Sequence, residues 1–194
     1  MNVETIEGII QRNRSYRRFD EKTTIDMDNL KGFVNLARLS ASGANRQPLK
    51  YIISNDTQRN SLIYPCLAWA GYLTDWPGPA EGERPSAYIV ILGDRELGVN
   101  FGIDHGIAAQ SILLGAVSRG YGGCIIATVK KERLKEALHI PDRYEILLVL
   151  ALGKPVEIVE INGVGADGSI KYWRDAENVH HVPKRALKDI ILDV

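Results

Sequence analysis

Helix-like and strand-like patterns of apolar and polar positions alternate along the chain. Residues 3–12 and 26–41 place apolar side chains every three to four positions, and the second stretch begins at Asp26, a residue type that caps helix starts. Two short runs rich in β-branched residues, 50–54 and 86–92, are typical of buried strands. The pattern continues with a helix at 130–138, a strand at 144–152 and a terminal helix at 184–191. This alternation predicts an α+β fold in a single domain.

The segment FGIDHGIAAQSILLGAVSR, residues 101–119, is apolar or small on nearly every side. A helix of this kind is buried on most of its faces. Four small residues allow another helix to approach closely, namely Gly102, Gly106, Ala109 and Gly115. In a chain of 194 residues such complete burial requires a second subunit, so the segment predicts a homodimer.

Residues 64–85, called the aromatic segment below, interrupt the regular pattern. They contain half of the chain's eight prolines together with Trp69 and Trp76. An irregular segment of this length is typically functional or disordered, and two tryptophans favour order. We expect an ordered lid, with a purely structural surface flap as the alternative.

The overall charge is neutral, with 24 basic and 24 acidic residues. Such a chain has no general attraction for nucleic acid or for an anionic membrane. The N-terminal residues lack the basic and apolar pattern of a leader peptide, and no apolar run is long enough to cross a bilayer, so we expect a cytoplasmic protein. Cys66 and Cys124 lie far apart and are expected to be buried thiols.

Two other motifs in the chain carry weak signals. The four histidines have no ligand spacing that favours a metal site. Residues 163–168, GVGADG, match the dinucleotide-binding fingerprint, but a second strand-like run follows them where a helix is required. We interpret this stretch as a β-hairpin with a turn at Asp167 and Gly168.

Residues 12–18, called the arginine segment below, concentrate four like charges within RNRSYRR. A cluster of this kind needs either a solvated face or an anion. The stretch SASGANRQP, 40–48, offers the neutral donors and acceptors of Ser42, Asn45 and Gln47, which suit a polar heterocycle. In VPKRALKDII, Lys184 and Arg185 fall at a predicted helix start, where an anion would compensate their unfavourable position.

These stretches together resemble the FMN-dependent nitroreductase family. RNRSYRRF is similar to its phosphate-binding motif, SGANRQP to its flavin loop, and GIDHGIAAQSILLGAVSRGYGG to its central helix and glycine turn. DRY through LALGKP and then VPKR follow in the family's order, so the resemblance covers residues 4–191. It implies one domain over 1–194, with a mixed or antiparallel central sheet flanked by helices and a long buried helix in a dimer interface.

The resemblance also implies a cofactor and its ligands. Arg14, Ser15, Arg17, Lys184 and Arg185 would hold the phosphate of FMN. Ser42, Asn45 and Gln47 would reach the ribityl chain and ring of the other subunit's flavin. Gly122 and Gly123 would bring backbone N–H groups to the ring, and Arg18 is expected to lie outside the phosphate site.

The implied reaction is an NAD(P)H-dependent oxidoreduction. NADH or NADPH would deliver hydride to the flavin N5 and leave, and a nitroaromatic, quinone or similar acceptor would then occupy the same cleft. No catalytic side chain is expected, because the flavin carries the chemistry. Two alternatives remain open: a flavin carrier without turnover, and an RNA-binding or phosphoprotein-binding module that uses the arginine segment with Tyr16 and Phe19.

Overall fold

The computed structural model describes residues 5–193, and its centre is an antiparallel sheet. The strands are β1 (Phe19–Asp20), β2 (Leu49–Ser54), β3 (Ala87–Asp94), β4 (Gly122–Ile126) and β5 (Tyr144–Pro155). Strand β3 pairs with β2 on one side and with β5 on the other. The far edge of β5 pairs first with β4 and then, at its last two residues, with β1. The predicted strands at 50–54, 86–92 and 144–152 are thereby confirmed.

The α-helices of the described residues are α1 (Ile6–Arg12), α2 (Met27–Leu39), α3 (Thr57–Ile63), α4 (Asp104–Ser118) and α5 (Lys131–Ala137). The Asp26 carboxylate accepts a hydrogen bond from the N–H of Asn29 at 2.6 Å, which confirms the predicted cap of α2. The expected first helix exists from Ile6, while its predicted start at residues 3 and 4 lies outside the described residues. Helix α3 was not predicted, because its sequence is mostly polar.

Both faces of the sheet are covered. Helices α2 and α4 pack on one face, against side chains such as Ile89, Ile91 and Leu150. Helices α3 and α5 cover the other face, against the alternating set that includes Tyr88 and Val90. Because every second residue points to the opposite face, a strand buried on both sides reads as a continuous apolar run.

Helix α4 obtains much of its burial within its own chain. Gly115 packs so closely on α2 that a Cβ there would collide with the side chain of Leu36. Ala109 is fully buried in the same core. Gly106 is different, since a Cβ at that position would meet nothing within 4 Å. The expectation that a partner buries the whole helix is therefore too broad, and one stripe remains exposed.

A second, three-stranded sheet follows β5. It consists of β6 (Val159–Gly163), β7 (Trp173–Arg174) and β8 (His180–Lys184), with β8 in the middle. The predicted hairpin between β6 and β7 is wrong, because β8 lies between them and pairs in parallel with β6. A turn does form at 165–168, where Gly168 has a φ of 69°.

The terminal helix predicted at 184–191 is also wrong. Pro183 and Lys184 end strand β8, and only a short 3₁₀ turn, Leu187–Asp189, follows. Pro183 pairs with Asn162 across the parallel ladder, a position that local helix signals cannot anticipate. The dipole argument for an anion at Lys184 and Arg185 therefore loses its basis.

The aromatic segment contains little regular structure but is fastened at several points. Trp69 lies against Gly78, where a Cβ would stand 2.7 Å from the indole ring. The hydroxyl of Tyr64 donates to the carbonyl of Pro79 at 2.7 Å. The Arg174 guanidinium stacks on Trp76 at 4.3 Å from the ring centroid. The first two contacts lie within the segment and the third joins it to the second sheet, in agreement with the expected order.

Candidate functional site

The arginine segment leaves helix α1 after Arg12 and runs in extended form beside strand β4. Ser15 makes a parallel bridge with Gly123, and the Tyr16 N–H donates to the Gly123 carbonyl at 3.0 Å. The segment then enters β1, which continues along the same edge of β5. Three of the predicted phosphate ligands, Arg14, Ser15 and Arg17, are thus placed next to the predicted glycine pair.

Gly122 and Gly123 are buried, and packing alone accounts for their lack of side chains. A Cβ on Gly122 would stand 2.5 Å from the Tyr16 ring and 2.7 Å from Pro155. One on Gly123 would stand 2.6 Å from the Ala151 carbonyl oxygen. Both glycines let the arginine segment lie directly against the sheet.

The arginines of this segment have different surroundings. Arg18 forms a two-pronged ion pair with Glu83, with N···O distances of 2.6 and 2.7 Å. Within residues 5–193, neither Arg14 nor Arg17 pairs with a carboxylate side chain. Arg14 donates to the Ile10 carbonyl at 2.6 Å, and its buried Nε has no partner. Two cations of the segment are therefore available to an anion.

Arg17 is oriented by neutral groups. Its guanidinium stacks on Tyr172 at 5.1 Å and donates to the Ser15 carbonyl at 3.1 Å. The same Nη1 lies 3.3 Å from His180 Nε2. Burial, followed by the nearby charges of Arg17 and Arg174, lowers the pKa of His180 to about 4. The imidazole is neutral near pH 7, so its Nε2 can accept the Arg17 hydrogen bond.

Glu157 lies behind the arginine segment and was missed by sequence reasoning. Its carboxylate accepts hydrogen bonds from the backbone N–H groups of Arg17 and Arg18, the latter at 3.2 Å. It also forms an ion pair with Arg174 at 2.9 Å, and its side chain is completely buried. A lone glutamate shortly after a strand carries no sequence signal for this role.

Residues 42–47, called the amide loop, connect α2 to β2 in an unusual backbone conformation. Ala44, Asn45 and Gln47 have φ values of 50°, 53° and 51°, a region that non-glycine residues seldom adopt. The Gln47 side chain donates to the carbonyl and side-chain oxygens of Asn45 at 3.2 and 3.1 Å. All three predicted residues of this loop, Ser42 included, therefore belong to one connected group.

The amide loop is attached to the first turn of α4. Asp104 accepts hydrogen bonds from the Ser42 hydroxyl at 2.6 Å and from the Gly43 N–H at 2.9 Å. A cavity of about 160 Å³ opens here, lined by Ser42 and Gln47 together with Asp104 and Tyr51. Burial, and secondarily the charge of Asp104, raises the pKa of Tyr51 to about 12.

The amide loop and the glycine pair lie at opposite ends of α4. The loop contacts its first residue, and Gly122 follows shortly after its last. A helix of 15 residues spans roughly 20 Å at 1.5 Å per residue. Within one chain the predicted ring ligands therefore form two separate groups.

Lys184 and Arg185 form a third group. They line a cavity of about 310 Å³ with residues 163–166, and the Lys184 carbonyl accepts a hydrogen bond from the Val164 N–H at 3.1 Å. Among the described residues, no hydrogen bond or ion pair joins their side chains to Arg14 or Arg17. Their assignment to the phosphate site stays a prediction.

A separate cleft of about 290 Å³ lies at the end of β4. The cleft is lined by Arg17 and Tyr172, by Trp69 of the aromatic segment, and by Cys124 of β4 and Thr128 just beyond that strand. Cys124 is buried, as expected, and burial raises the pKa of its thiol. The cleft joins the arginine segment to the predicted lid.

Residues 5–193 contain neither a metal-binding cluster nor a membrane-spanning helix. No group of three histidine, cysteine or carboxylate side chains is arranged to hold a metal ion. None of the helices in this part of the chain is both long and apolar enough to cross a membrane.

Comparisons with known proteins agree with this architecture. The model of the Nitroreductase family matches residues 83–154. A nitroreductase family protein from Streptococcus pneumoniae TIGR4 superimposes with a TM-score of 0.71 at 16% identity, covering 98% of this chain and 100% of the other. A search of curated proteins found no match.

Two other solved structures are cofactor complexes. A nitroreductase from Exiguobacterium sibiricum 255-15 in complex with FMN has a TM-score of 0.66 at 20% identity, covering 81% of this chain and 91% of that one. The NADPH:FMN oxidoreductase from Vibrio harveyi, complexed with NAD+, has a TM-score of 0.64 at 21% identity, with coverages of 82% and 73%. The fold is that of nitroreductase-family proteins, as the resemblance implies, and the family model matches the part of the chain that contains the central helix and the glycine turn.

Proposed function

We propose that this protein is an FMN-dependent oxidoreductase that works as a homodimer. Arg14, Ser15 and Arg17 would bind the phosphate, and the amide loop of the other subunit would contact the ribityl chain and ring. Lys184 and Arg185 would complete the phosphate site once the dimer is assembled. NADH or NADPH would be the electron donor.

One observation carries the proposal: Arg14 and Arg17 lie on the same segment, which is held against the glycine pair, and neither has a carboxylate partner within residues 5–193. Arg18, by contrast, is neutralised by Glu83. Two guanidinium groups without a carboxylate partner suit a phosphate ester, and the Nε of Arg14 still has a hydrogen bond to donate.

The requirement for two subunits rests on surfaces that a single chain leaves uncovered. Ile103, Gly106 and Gln110 form an exposed stripe along α4, with Ile103 75% exposed. The chain exposes 11462 Å², whereas a compact monomer of its mass would expose roughly 9,200 Å². The C-terminal residues also leave large apolar side chains in water: Leu187, Ile190, Ile191 and Leu192.

A two-fold axis beside this stripe would bring the amide loop of one chain towards the arginine segment of the other. Asn13 already touches the stripe, since its amide donates to Gln110 at 3.4 Å. This arrangement would unite the two groups of ring ligands that one chain keeps apart. It would also place the cleft beside Trp69 and Tyr172 at the edge of the shared site.

The chain's own residues would bind and orient rather than react. Arg14 and Arg17 would neutralise the phosphate, and the amides of Asn45 and Gln47 would hydrogen-bond to polar edges of the ring. The aromatic segment would restrict access of water and select the acceptor. Bound FMN would supply hydride transfer from the nicotinamide to an acceptor such as a nitroaromatic or a quinone, donor and acceptor using the cleft in turn.

The first test is an absorbance spectrum of the purified protein, followed by titration with FMN. We expect a yellow protein with about one FMN per chain and oxidation of NADH or NADPH when a quinone is added. Protein that is colourless and does not take up FMN would overturn the proposal. Flavin binding without any turnover would favour a carrier, and tight binding of RNA would favour the nucleic-acid alternative.

A further inference from the structure

Asp104 is a buried carboxylate whose oxygens are both used by the amide loop. Oδ2 accepts from the Ser42 hydroxyl at 2.6 Å, and Oδ1 accepts from the Gly43 N–H at 2.9 Å. The residue is 6% exposed, and within residues 5–193 it forms no ion pair. Burying a carboxylate without a cation is unfavourable, so stability of the fold alone is a poor reason for its presence.

The contact with Asp104 is passed on to both amide side chains of the loop. The Ser42 hydroxyl oxygen accepts a second hydrogen bond from the Gln47 N–H at 2.9 Å. The Gln47 side chain then bonds to Asn45. The Asp104 carboxylate thus holds the first residues of the loop directly. Through Ser42 it also holds Gln47 at the end of the loop, and with it the orientation of both amide side chains.

The loop requires this support because of its backbone. Three of its non-glycine residues, Ala44, Asn45 and Gln47, occupy the left-handed region. Such conformations persist only where surrounding contacts hold them, and they occur preferentially at binding sites. A free loop of this sequence would relax towards extended or right-handed conformations and would move the amides out of register.

We propose that Asp104 is a positioning residue that holds the amide loop ready to contact the flavin ring. This inference rests on the proposed function, and it adds a residue that the family-like motifs did not assign. Asp104 lies beside Ile103 and Gly106 of the exposed stripe, so the same helix turn would order the loop and meet the partner subunit. The loop is then preorganised before the dimer forms, which lowers the entropy lost on binding.

The experiment is a fluorescence titration of the full-length protein with FMN and with riboflavin. The variants are Asp104→Ala, Asp104→Asn, Ser42→Ala and the double variant of Asp104→Ala with Ser42→Ala. Asp26→Ala is the control, because it removes a carboxylate that accepts hydrogen bonds at the start of α2, the end of that helix opposite to the loop.

We expect Asp104→Ala to lower the affinity for both flavins by the same factor, roughly tenfold or more, since the loop contacts the ring that FMN and riboflavin share. Asp104→Asn should lose less flavin affinity than Asp104→Ala, because the asparagine amide oxygen can still accept one hydrogen bond. The affinity lost in the double variant should be smaller than the sum of the two single losses, because the aspartate acts in part through the serine. Asp26→Ala should bind both flavins as the parent does.

Three outcomes would overturn the inference while leaving the proposed function intact. These are parent-like affinity in both Asp104 variants, a loss for FMN that clearly exceeds the loss for riboflavin, and an equal loss in Asp26→Ala. Should Asp104→Ala fail to fold, Asp104→Asn and Ser42→Ala decide the matter on the same measurements. A parent protein that binds neither flavin would refute the proposed function itself, and this inference with it.

Discussion

Glu157 and Arg174 form an ion pair behind the arginine segment, with 2.9 Å between Oε2 and Nη2 and no solvent access to the carboxylate. The same carboxylate accepts the backbone N–H groups of Arg17 and Arg18. Arg174 in turn stacks on Trp76 of the aromatic segment. A single buried charge pair therefore connects the N-terminal segment, the second sheet and the predicted lid.

Removing the carboxylate should destabilise the protein strongly. Glu157→Ala leaves the Arg174 charge and two backbone donors without a partner, and breaking such a pair costs about 3–5 kcal/mol. The free energy of unfolding from urea titration measures the loss. Glu145→Ala removes one partner of an exposed pair with Arg95, 3.5 Å apart, and should cost about 1 kcal/mol or less. Equal losses in the two variants would contradict the role given to Glu157.

The arginines of the segment should contribute unequally to binding of the flavin phosphate. A charge-assisted contact contributes roughly 1.5–3 kcal/mol to binding. Arg14→Ala and Arg17→Ala should therefore each lower the affinity for FMN about ten- to a hundredfold. Riboflavin, which lacks the phosphate, should bind the parent less tightly and respond little to either change. Flavin-fluorescence titration of both ligands provides the measurement.

Arg18→Ala is the matched control for those two variants, because Glu83 already holds Arg18. It should bind FMN nearly as the parent does, although its stability should fall. Arg185→Ala tests the ligand group that a single chain keeps apart from the segment, and we expect a loss similar to that of Arg17→Ala. A loss in Arg18→Ala as large as that in Arg17→Ala would argue against the phosphate site proposed here.

Gly106→Leu should separate the stability of the chain from that of the dimer. No atom within 4 Å would meet a new Cβ there, and leucine favours helix by roughly 1 kcal/mol over glycine, so the isolated chain should remain folded. In a close helix interface the same side chain would overpack, at a cost of about 1–3 kcal/mol. Light scattering after size-exclusion chromatography should show a shift towards monomer, together with loss of flavin.

Gly98→Leu is the control, since Gly98 lies in the loop between β3 and α4, outside the stripe residues, and a Cβ there would also meet nothing within 4 Å. It should leave both the mass and the flavin content unchanged. A Gly106→Leu protein that elutes as a folded monomer with full flavin would mean that one chain builds the whole site.

The low pKa of His180 makes stability depend on pH. The folded pKa is about 4, whereas an unfolded histidine titrates near its ordinary value of 6.5. Between these values the unfolded chain binds the extra proton, so stability should fall as the pH drops from about 6.5 to about 4 and rise as the pH increases. The shift corresponds to up to about 3 kcal/mol.

Other groups titrate over the same range, so the contribution of His180 is obtained by comparison with His180→Gln. Glutamine does not titrate, and its amide oxygen can still accept from Arg17. The difference between the two unfolding free energies should change across pH 4–6.5 and be constant above it. A difference that is constant over the whole range would contradict a buried, neutral His180.

Much of the fold was predictable because its signals are local. A capping aspartate and a periodic apolar face predict helix α2. Runs of β-branched residues, which the sheet buries on both sides, predict the central strands. Helix α3 escaped prediction because its sequence, TQRNSLI, is mostly polar and only Ile63 is buried. The predictions of a hairpin and of a terminal helix were wrong because residues 180–184 form strand β8, which pairs with β6. That contact joins residues about twenty positions apart in the chain, so local sequence signals do not reveal it.

For the candidate site, the sequence by itself determined which residue types are concentrated where: arginines in 12–18, amides in 42–47 and the glycine pair after α4. Only the tertiary structure decided which of those arginines is neutralised, through Glu83, 65 positions from Arg18. It likewise revealed Asp104 beneath the amide loop and Glu157 beneath the arginine segment, 62 and 140 positions from their partners Ser42 and Arg17. Composition and periodicity describe a residue's neighbours along the chain, whereas the charge that a buried carboxylate compensates depends on which distant segment the packed core brings against it.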